Sequence, residues 1–179
     1  MNTIASDGSI KLLFTGPVGA GKTTAIRAIS DSPPVSTDVP WTEADGGSKT
    51  TTTVAFDYSS IRLDDSETLH VYGLPGQPRF NFMSAIIGRG ALGAILLLDG
   101  SSPDIAGDCV EHVRRLGQLF PGLGFVIGVV KTDLSPQFSI GLLYQVVQEM
   151  ELSAPIFTID PRHRAQVIQL VRALLLLVD

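Results

Sequence analysis

The stretch GPVGAGKT at residues 16–23 decides the fold of this chain, because its spacing matches the pattern GxxxxGK[ST] of a phosphate-binding loop. An apolar run at 10–15 comes directly before it and predicts a β-strand. The segment at 22–30 has the apolar spacing of a helix. A strand, a glycine-rich turn and a helix N-terminus are the context that this loop requires. We therefore predict a phosphate-binding loop rather than an incidental glycine-rich turn, and call residues 16–23 the phosphate loop.

The residue types of the phosphate loop suit a nucleoside triphosphate with magnesium. Glycines let the backbone wrap around phosphates with its amides pointing inward, and the helix N-terminus adds partial positive charge. Lys22 supplies a full charge to the β- and γ-phosphates, which gives it a catalytic role, and the Thr23 hydroxyl can ligate Mg²⁺. The expected nucleotide contacts are Gly16, Val18, Gly19, Ala20, Gly21, Lys22, Thr23 and Thr24.

The rest of the chain alternates between strand and helix patterns. Further strands are predicted at 54–63, 69–72, 92–99, 125–130 and 156–159, and helices at 22–30, 80–88, 105–119, 140–151 and 164–178. This alternation predicts an α/β fold with a six-stranded, mostly parallel sheet and helices on both faces. Only residues 64–68 separate the second and third strands, which is hairpin length, so we expect one antiparallel edge strand. The stretch at 31–52 is rich in proline and glycine and is predicted to be a long functional loop.

Length and composition narrow the class of protein. The chain has 179 residues, which suits one domain covering 1–179. Its net charge of -5 disfavours a nucleic-acid backbone as the partner. A single cysteine, Cys109, excludes a disulfide framework within the chain and fits a reducing cytoplasm. The sequence has neither a signal-peptide pattern nor a lipidation motif, so we expect a cytoplasmic protein without a membrane anchor of its own.

The segment YGLPGQPRF at 72–80 resembles the second switch of Ras-like GTPases, whose usual form is DxxGQExF. The resemblance implies that the Gly76 amide senses the γ-phosphate and that Gln77 orients the attacking water. The magnesium-associated aspartate of that family is Gly73 here. The resemblance therefore implies weaker metal binding, or the use of another carboxylate such as Asp57.

The segment KTTTTVAFDY at 49–58 resembles the first switch of the same family, in which a threonine completes the magnesium shell. This implies that Thr53 is a metal ligand together with Thr23, and Thr52 is the alternative. A run of threonines before a strand also fits plain β-propensity.

The segment VKTD at 130–133 lies where Ras-like proteins carry NKxD. The resemblance implies that Asp133 accepts the two guanine ring donors and that Lys131 stacks its stem over the base. The usual asparagine is Val130 here. The later segment TIDPR at 158–162 occupies the position of the family's SAK motif, with Pro161 and Arg162 as base contacts.

Taken together, these segments and the run FMSAIIGRGALGAILLLD at 82–99 resemble a bacterial group of Ras-like small GTPases. The group includes the GTPases of actinobacterial conservons and their proteobacterial relatives, and it is akin to the gliding-motility and polarity GTPase of myxobacteria. The resemblance covers about residues 10–178. It implies a Ras-type G domain of the P-loop NTPase class that binds GTP or GDP with Mg²⁺ and hydrolyses GTP slowly. It also implies a molecular switch controlled by a Roadblock-type regulator and by effectors that contact the switch loops.

Two alternative functions and the roles of two residues remain open at this level. With Gly73 and Val130 replacing expected polar residues, the chain is alternatively a pseudo-GTPase scaffold that binds nucleotide weakly. A small phosphate-loop kinase is less favoured, because the second-switch and VKTD segments occur together. Asp99, at the end of a predicted strand, has either a structural or a catalytic role, and Arg79 is either an internal catalytic arginine or a partner-facing residue.

Overall fold

The computed structural model describes residues 9–45, 48–62 and 67–178, with side chains described at 10–35, 56–62 and 67–178. Within these ranges the chain forms seven strands and five α-helices, along with two short 3-10 turns at Pro78–Phe80 and Thr132–Leu134. The strands are β1 (Ser9–Thr15), β2 (Val35–Asp45), β3 (Ser48–Arg62), β4 (Thr68–Gly73), β5 (Gly93–Asp99), β6 (Gly124–Val130) and β7 (Ile156–Thr158). The helices are α1 (Lys22–Ile29), α2 (Asn81–Ile87), α3 (Ile105–Leu119), α4 (Ile140–Glu149) and α5 (Arg164–Val178).

The strands form one sheet in the order β2-β3-β4-β1-β5-β6-β7. Strand β1 pairs in parallel with β4 and β5, and the parallel pairing continues through β6 to β7. Strand β3 is antiparallel to both of its neighbours, β2 and β4. The prediction of an α/β chain with a mostly parallel sheet and one antiparallel strand is confirmed, and all six predicted strands are present.

The strand count and the place of the antiparallel strand were predicted wrongly. A seventh strand, β2, lies outside β3, so the antiparallel strand is the second strand rather than the edge. Most of the predicted loop at 31–52 therefore belongs to the β2–β3 hairpin, whose register runs from Val35 opposite Tyr58 to Asp45 opposite Ser48. The prolines of this stretch favoured a loop in the prediction. Pro40 instead lies in an edge strand, where a missing backbone donor is tolerated. Residues 46–47 of the predicted loop lie outside the described residues.

Helices cover both faces of the sheet. Helices α1 and α5 pack on one face against Leu12, Phe14 and Leu97, and α3 and α4 pack on the other against Leu13 and Leu96. Neighbouring residues of β1 thus enter opposite core layers, as the alternation of side chains along a strand requires. Strand β5 is buried along nearly its whole length, as expected for a central strand covered by helices on both sides.

The parallel pairing positions the functional residues. Strands β1, β4, β5, β6 and β7 point the same way, so the segments that follow them meet at one edge of the sheet. We call this the carboxyl edge. Within the described residues, no helix combines the length and the apolar character needed to cross a membrane.

Candidate functional site

The phosphate loop leaves β1 at the carboxyl edge and enters α1. Gly16 has a φ of 134°, and a Cβ added there would lie 2.0 Å from the backbone oxygen of Leu97 in β5. Gly21 is the N-cap of α1 with a φ of 82°, and a Cβ there would approach the Pro161 side chain to 3.1 Å. Only glycine tolerates this combination of backbone angle and close approach. The structure therefore confirms the strand, turn and helix context that the motif predicted.

Lys22 is held inside the phosphate loop. Its Nζ donates hydrogen bonds to the backbone oxygens of Gly16 at 2.8 Å and Pro17 at 2.7 Å, which leaves the third ammonium hydrogen for another acceptor. Burial, with the positive charge of Arg115 adding to it and the charge of Asp57 opposing it, lowers the pKa of Lys22 to about 8. A phosphate group beside Lys22 would favour the charged form, so the loop gains most from an anionic ligand.

A carboxylate reaches the Thr23 hydroxyl from β3. The Oγ1 of Thr23 donates to Oδ2 of Asp57 at 2.5 Å. Asp57 pairs with Gly73 across β3 and β4, and a Cβ added at Gly73 would lie 3.3 Å from that same Oδ2. The absence of a side chain at Gly73 thus leaves room for the Asp57 carboxylate. Within the described part of the chain, no group of three or more His, Cys, Asp or Glu side chains forms a metal cage.

Thr53, the other predicted metal ligand, lies in β3 opposite Pro40. It is four residues from Asp57, which corresponds to about 13 Å along an extended strand. The side chains of Thr53 and of the alternative, Thr52, lie outside the described residues. The metal role of Thr53 stays a prediction.

The segment 73–77, which we call the Gln77 segment, lies against the phosphate loop. The Leu74 amide donates to the Phe14 oxygen at 2.7 Å, which continues the pairing between β1 and β4. A Cβ added at Gly76 would lie 2.8 Å from the Gly16 oxygen and 2.9 Å from the Val18 nitrogen. The two segments are thus in backbone contact, and a glycine is required at position 76.

The predicted catalytic side chain, Gln77, is exposed at the start of the 3-10 turn Pro78–Phe80. Its Oε1 accepts a hydrogen bond from Nε of Arg79 at 2.7 Å. The Arg79 guanidinium lies over the Phe80 ring, 4.7 Å from its centroid. In this conformation Arg79 contacts Gln77 and Phe80, and neither of its two sequence-based roles is settled by these contacts.

A cleft of about 730 Å³ opens beside the phosphate loop, which is a size that accommodates a nucleoside. We call it the edge cleft. Its lining includes Gly19, Gly21 and Thr24 from the loop and α1, the segment 130–134 after β6, and the segment 158–162 after β7. The structure thus brings the predicted phosphate and base segments to one cleft.

Lys131 ties the segment after β6 to the phosphate loop. It adopts a left-handed backbone with a φ of 56°, and its Nζ donates to the Gly19 oxygen at 3.0 Å and to Oδ2 of Asp99 at 2.5 Å. Burial alone would raise the pKa of Asp99, but hydrogen bonds from Lys131 and Ser101 outweigh it and lower that pKa. Asp99 therefore holds Lys131 in place, which agrees with the structural alternative of its two predicted roles.

The remaining predicted base contacts lie on the rim of the edge cleft. Asp133 is exposed in the 3-10 turn Thr132–Leu134, and its carboxylate makes no hydrogen bond or ion pair with another described residue. Arg162 binds the Asp160 carboxylate through Nε at 2.9 Å and Nη2 at 2.6 Å, and these bonds lower the pKa of Asp160. Val130 packs in the core between the sheet and the helices α1 and α5, which explains an apolar residue there.

Arg115 is a site residue that the sequence analysis missed. It lies in α3, is only 7% exposed, and donates to the backbone oxygens of Gly76 at 2.7 Å and Pro75 at 2.5 Å. The available signal was its spacing, because it follows Cys109 and His112 at helical intervals on the buried face of α3. A cation on such a face indicates a buried acceptor, although the sequence does not say which one.

Comparisons with known proteins give little on this site. No model of a known protein family matches the chain. A stretch of 92 residues is 32% identical to an uncharacterized protein of Methanocaldococcus jannaschii, and the match covers 51% of this chain and 52% of that protein. The chain thus spans about half the length of the curated relative that it matches.

The buried ammonium of Lys22 predicts a specific pH dependence. The Lys22 pKa is about 8 in the free protein, and a bound phosphate raises it, so binding takes up a proton above that pH. For any phosphate-bearing nucleotide that the loop binds, we expect a dissociation constant that is flat below the Lys22 pKa and rises by up to about tenfold per pH unit above it. Because an arginine stays charged, Lys22→Arg should abolish the rise of the dissociation constant with pH. Both proteins titrate the same nucleotide, so equal slopes in a fluorescence binding series would contradict the assignment.

Proposed function

We propose that this chain is a Ras-like small GTPase of the bacterial group that includes the conservon GTPases. In this proposal it is a molecular switch that binds GTP or GDP with Mg²⁺ at the carboxyl edge and hydrolyses GTP slowly. The observation that carries it is the hydrogen bond from Lys131 Nζ to the Gly19 oxygen. This bond joins residues 112 positions apart and places the VKTD segment beside the phosphate loop, as a nucleotide spanning both would need.

The residues around Thr23 fit magnesium. The Thr23 hydroxyl and the Asp57 carboxylate are neighbouring hard oxygen groups, which are the ligands that Mg²⁺ prefers. Bound there with phosphates, the metal would supply positive charge that neutralises the developing charge of the transferred phosphoryl group. In this proposal Asp57 takes the role of the family aspartate whose position is Gly73 here, and Thr53 remains a second proposed ligand.

The residues of the edge cleft favour guanine. The Asp133 carboxylate is available to accept the N1 and N2 hydrogens of guanine, and adenine has neither of these donors. Lys131, held by Asp99 and Gly19, would lie along one face of the base. Pro161 and Arg162 border the cleft and would contact the base from the segment after β7.

The pseudo-GTPase scaffold remains the second candidate, since Gly73 and Val130 are the two departures from the family pattern. The hydrogen bond between Thr23 and Asp57 favours the GTPase, because it holds a carboxylate next to the threonine hydroxyl that is the proposed metal ligand. Both candidates bind nucleotide, and they differ in whether phosphate is released from GTP.

Slow intrinsic hydrolysis follows from how the nearby arginines are engaged. Arg79 donates to Gln77, and Arg115 donates to the backbone of the Gln77 segment. Both guanidinium groups thus bind protein acceptors in this conformation, whereas an arginine contributed by another protein would accelerate such a reaction by about 10³- to 10⁵-fold. We propose that a Roadblock-type regulator and effector proteins contact the β2–β3 hairpin and the Gln77 segment, in the cytoplasm.

Removing the carboxylate beside Thr23 should weaken magnesium binding. Asp57→Asn keeps the size of the side chain but removes its charge, so we expect the Mg²⁺ concentration needed for half-maximal GTP binding to rise about 10- to 100-fold. Asp104→Asn is the matched control. Asp104 caps α3, and asparagine caps equally well. An unchanged Mg²⁺ requirement in Asp57→Asn would exclude Asp57 from the metal site.

Hydrolysis should depend on Gln77. We expect Gln77→Ala to lower the single-turnover rate of phosphate release from GTP about 10- to 100-fold, because the attacking water loses its orientation. Gln118→Ala, which truncates an exposed glutamine of α3, should leave the rate unchanged. An unaltered rate of phosphate release in Gln77→Ala would contradict the role assigned to Gln77. Tight GTP binding without phosphate release by the wild-type protein would favour the pseudo-GTPase.

A further inference from the structure

The guanidinium of Arg115 forms a clamp between α3 and the Gln77 segment. Its Nη1 donates to the Gly76 oxygen and its Nη2 to the Pro75 oxygen, so one side chain binds two consecutive peptide groups. The side chain is almost fully buried, and hydrogen bonds from a buried, charged donor are among the stronger ones in proteins. The clamp therefore fixes the rotation of both peptide planes.

Peptide geometry determines where the amides of these planes point. The described chain contains no cis peptide bond, and in a trans peptide the C=O and the N–H point in opposite directions. Since the Pro75 and Gly76 oxygens both point at Arg115, the Gly76 and Gln77 N–H groups both point away from α3. Arg115 thus aligns two neighbouring donors on one side of the segment.

These two donors have no acceptor within the described residues. Neither the Gly76 nor the Gln77 N–H donates a hydrogen bond there. Gly76 also lies in backbone contact with Gly16 and Val18 of the phosphate loop. Two neighbouring N–H groups without an acceptor, in a segment that contacts the phosphate loop, are donors that an anionic oxygen could accept from.

We propose that Arg115 is the positioning residue that holds the Gly76 and Gln77 amides ready for the terminal phosphate of GTP. The inference rests on the proposed function and deepens it, because it assigns the discrimination between GTP and GDP to a side chain of α3. Arg115 itself binds the Gly76 and Pro75 oxygens. It acts through the backbone that it orients.

The chemistry of the clamp requires arginine. A guanidinium presents donors in a planar fork that matches two adjacent carbonyls, whereas the ammonium of a lysine concentrates its charge at one nitrogen.

The test compares affinities for a non-hydrolysable GTP analogue and for GDP, both in excess Mg²⁺. In Arg115→Met we expect the ratio of analogue affinity to GDP affinity to fall about tenfold, as for the loss of one charged hydrogen bond. The GDP affinity should change much less than the analogue affinity. General damage to the site would instead weaken both nucleotides together.

The matched control is Arg114→Met, which removes the same charge from the exposed neighbouring position of α3 and should leave the ratio unchanged. Arg115→Lys keeps a buried cation, so the ratio of analogue affinity to GDP affinity should fall only about threefold. Arg115→Lys provides the test if Arg115→Met does not fold.

An unchanged ratio in a folded Arg115 variant would overturn the inference while leaving the proposed function intact. An equal loss in Arg114→Met would also overturn it, because a long-range charge effect would then explain the result. A wild-type protein that binds neither nucleotide would overturn the proposed function and the inference together.

Discussion

The close approach of Gly16 to β5 is the constraint on which the rest of the site depends. A Cβ at this position would lie 2.0 Å from the Leu97 oxygen, so any other residue would force the loop away from the central strand. The loop stays close to the sheet and leads directly into α1, and Gly21 and Thr24 at the start of α1 line the edge cleft. Lys22 then folds back onto the loop carbonyls, and Thr23 reaches toward β3.

The antiparallel strand β3 has a chemical consequence. Here the antiparallel pairing sets Asp57 opposite Gly73, and the carboxylate occupies the space next to the missing side chain. The Asp57 carboxylate thus lies next to the position that a side chain at residue 73 would occupy, and it accepts a hydrogen bond from the Thr23 hydroxyl. Under the proposed function, Asp57 would supply the carboxylate for Mg²⁺ that Gly73 does not provide.

The sequence predicted what depends on local pattern, and failed where the answer depends on pairing across the structure. The phosphate loop, the six strands and the two helical layers follow from short-range periodicity and glycine spacing. Strand β2 was missed because the composition around Pro40 is typical of a loop. A proline is tolerated there because β2 is an edge strand. Asp57 was only an alternative ligand, because the β3–β4 register decides its partner. Arg115 was missed because a helix pattern identifies a buried face but not the carbonyls that face it.

The central claim is that the edge cleft selects guanine through Asp133, and the most direct measurement is competition between GTP and ATP for the purified protein with excess Mg²⁺. A fluorescent GDP derivative would report displacement. The account predicts that ATP is at least about 100-fold weaker than GTP, because an adenine would leave the Asp133 carboxylate without donors. Displacement by ATP at the same or lower concentration than GTP would contradict it.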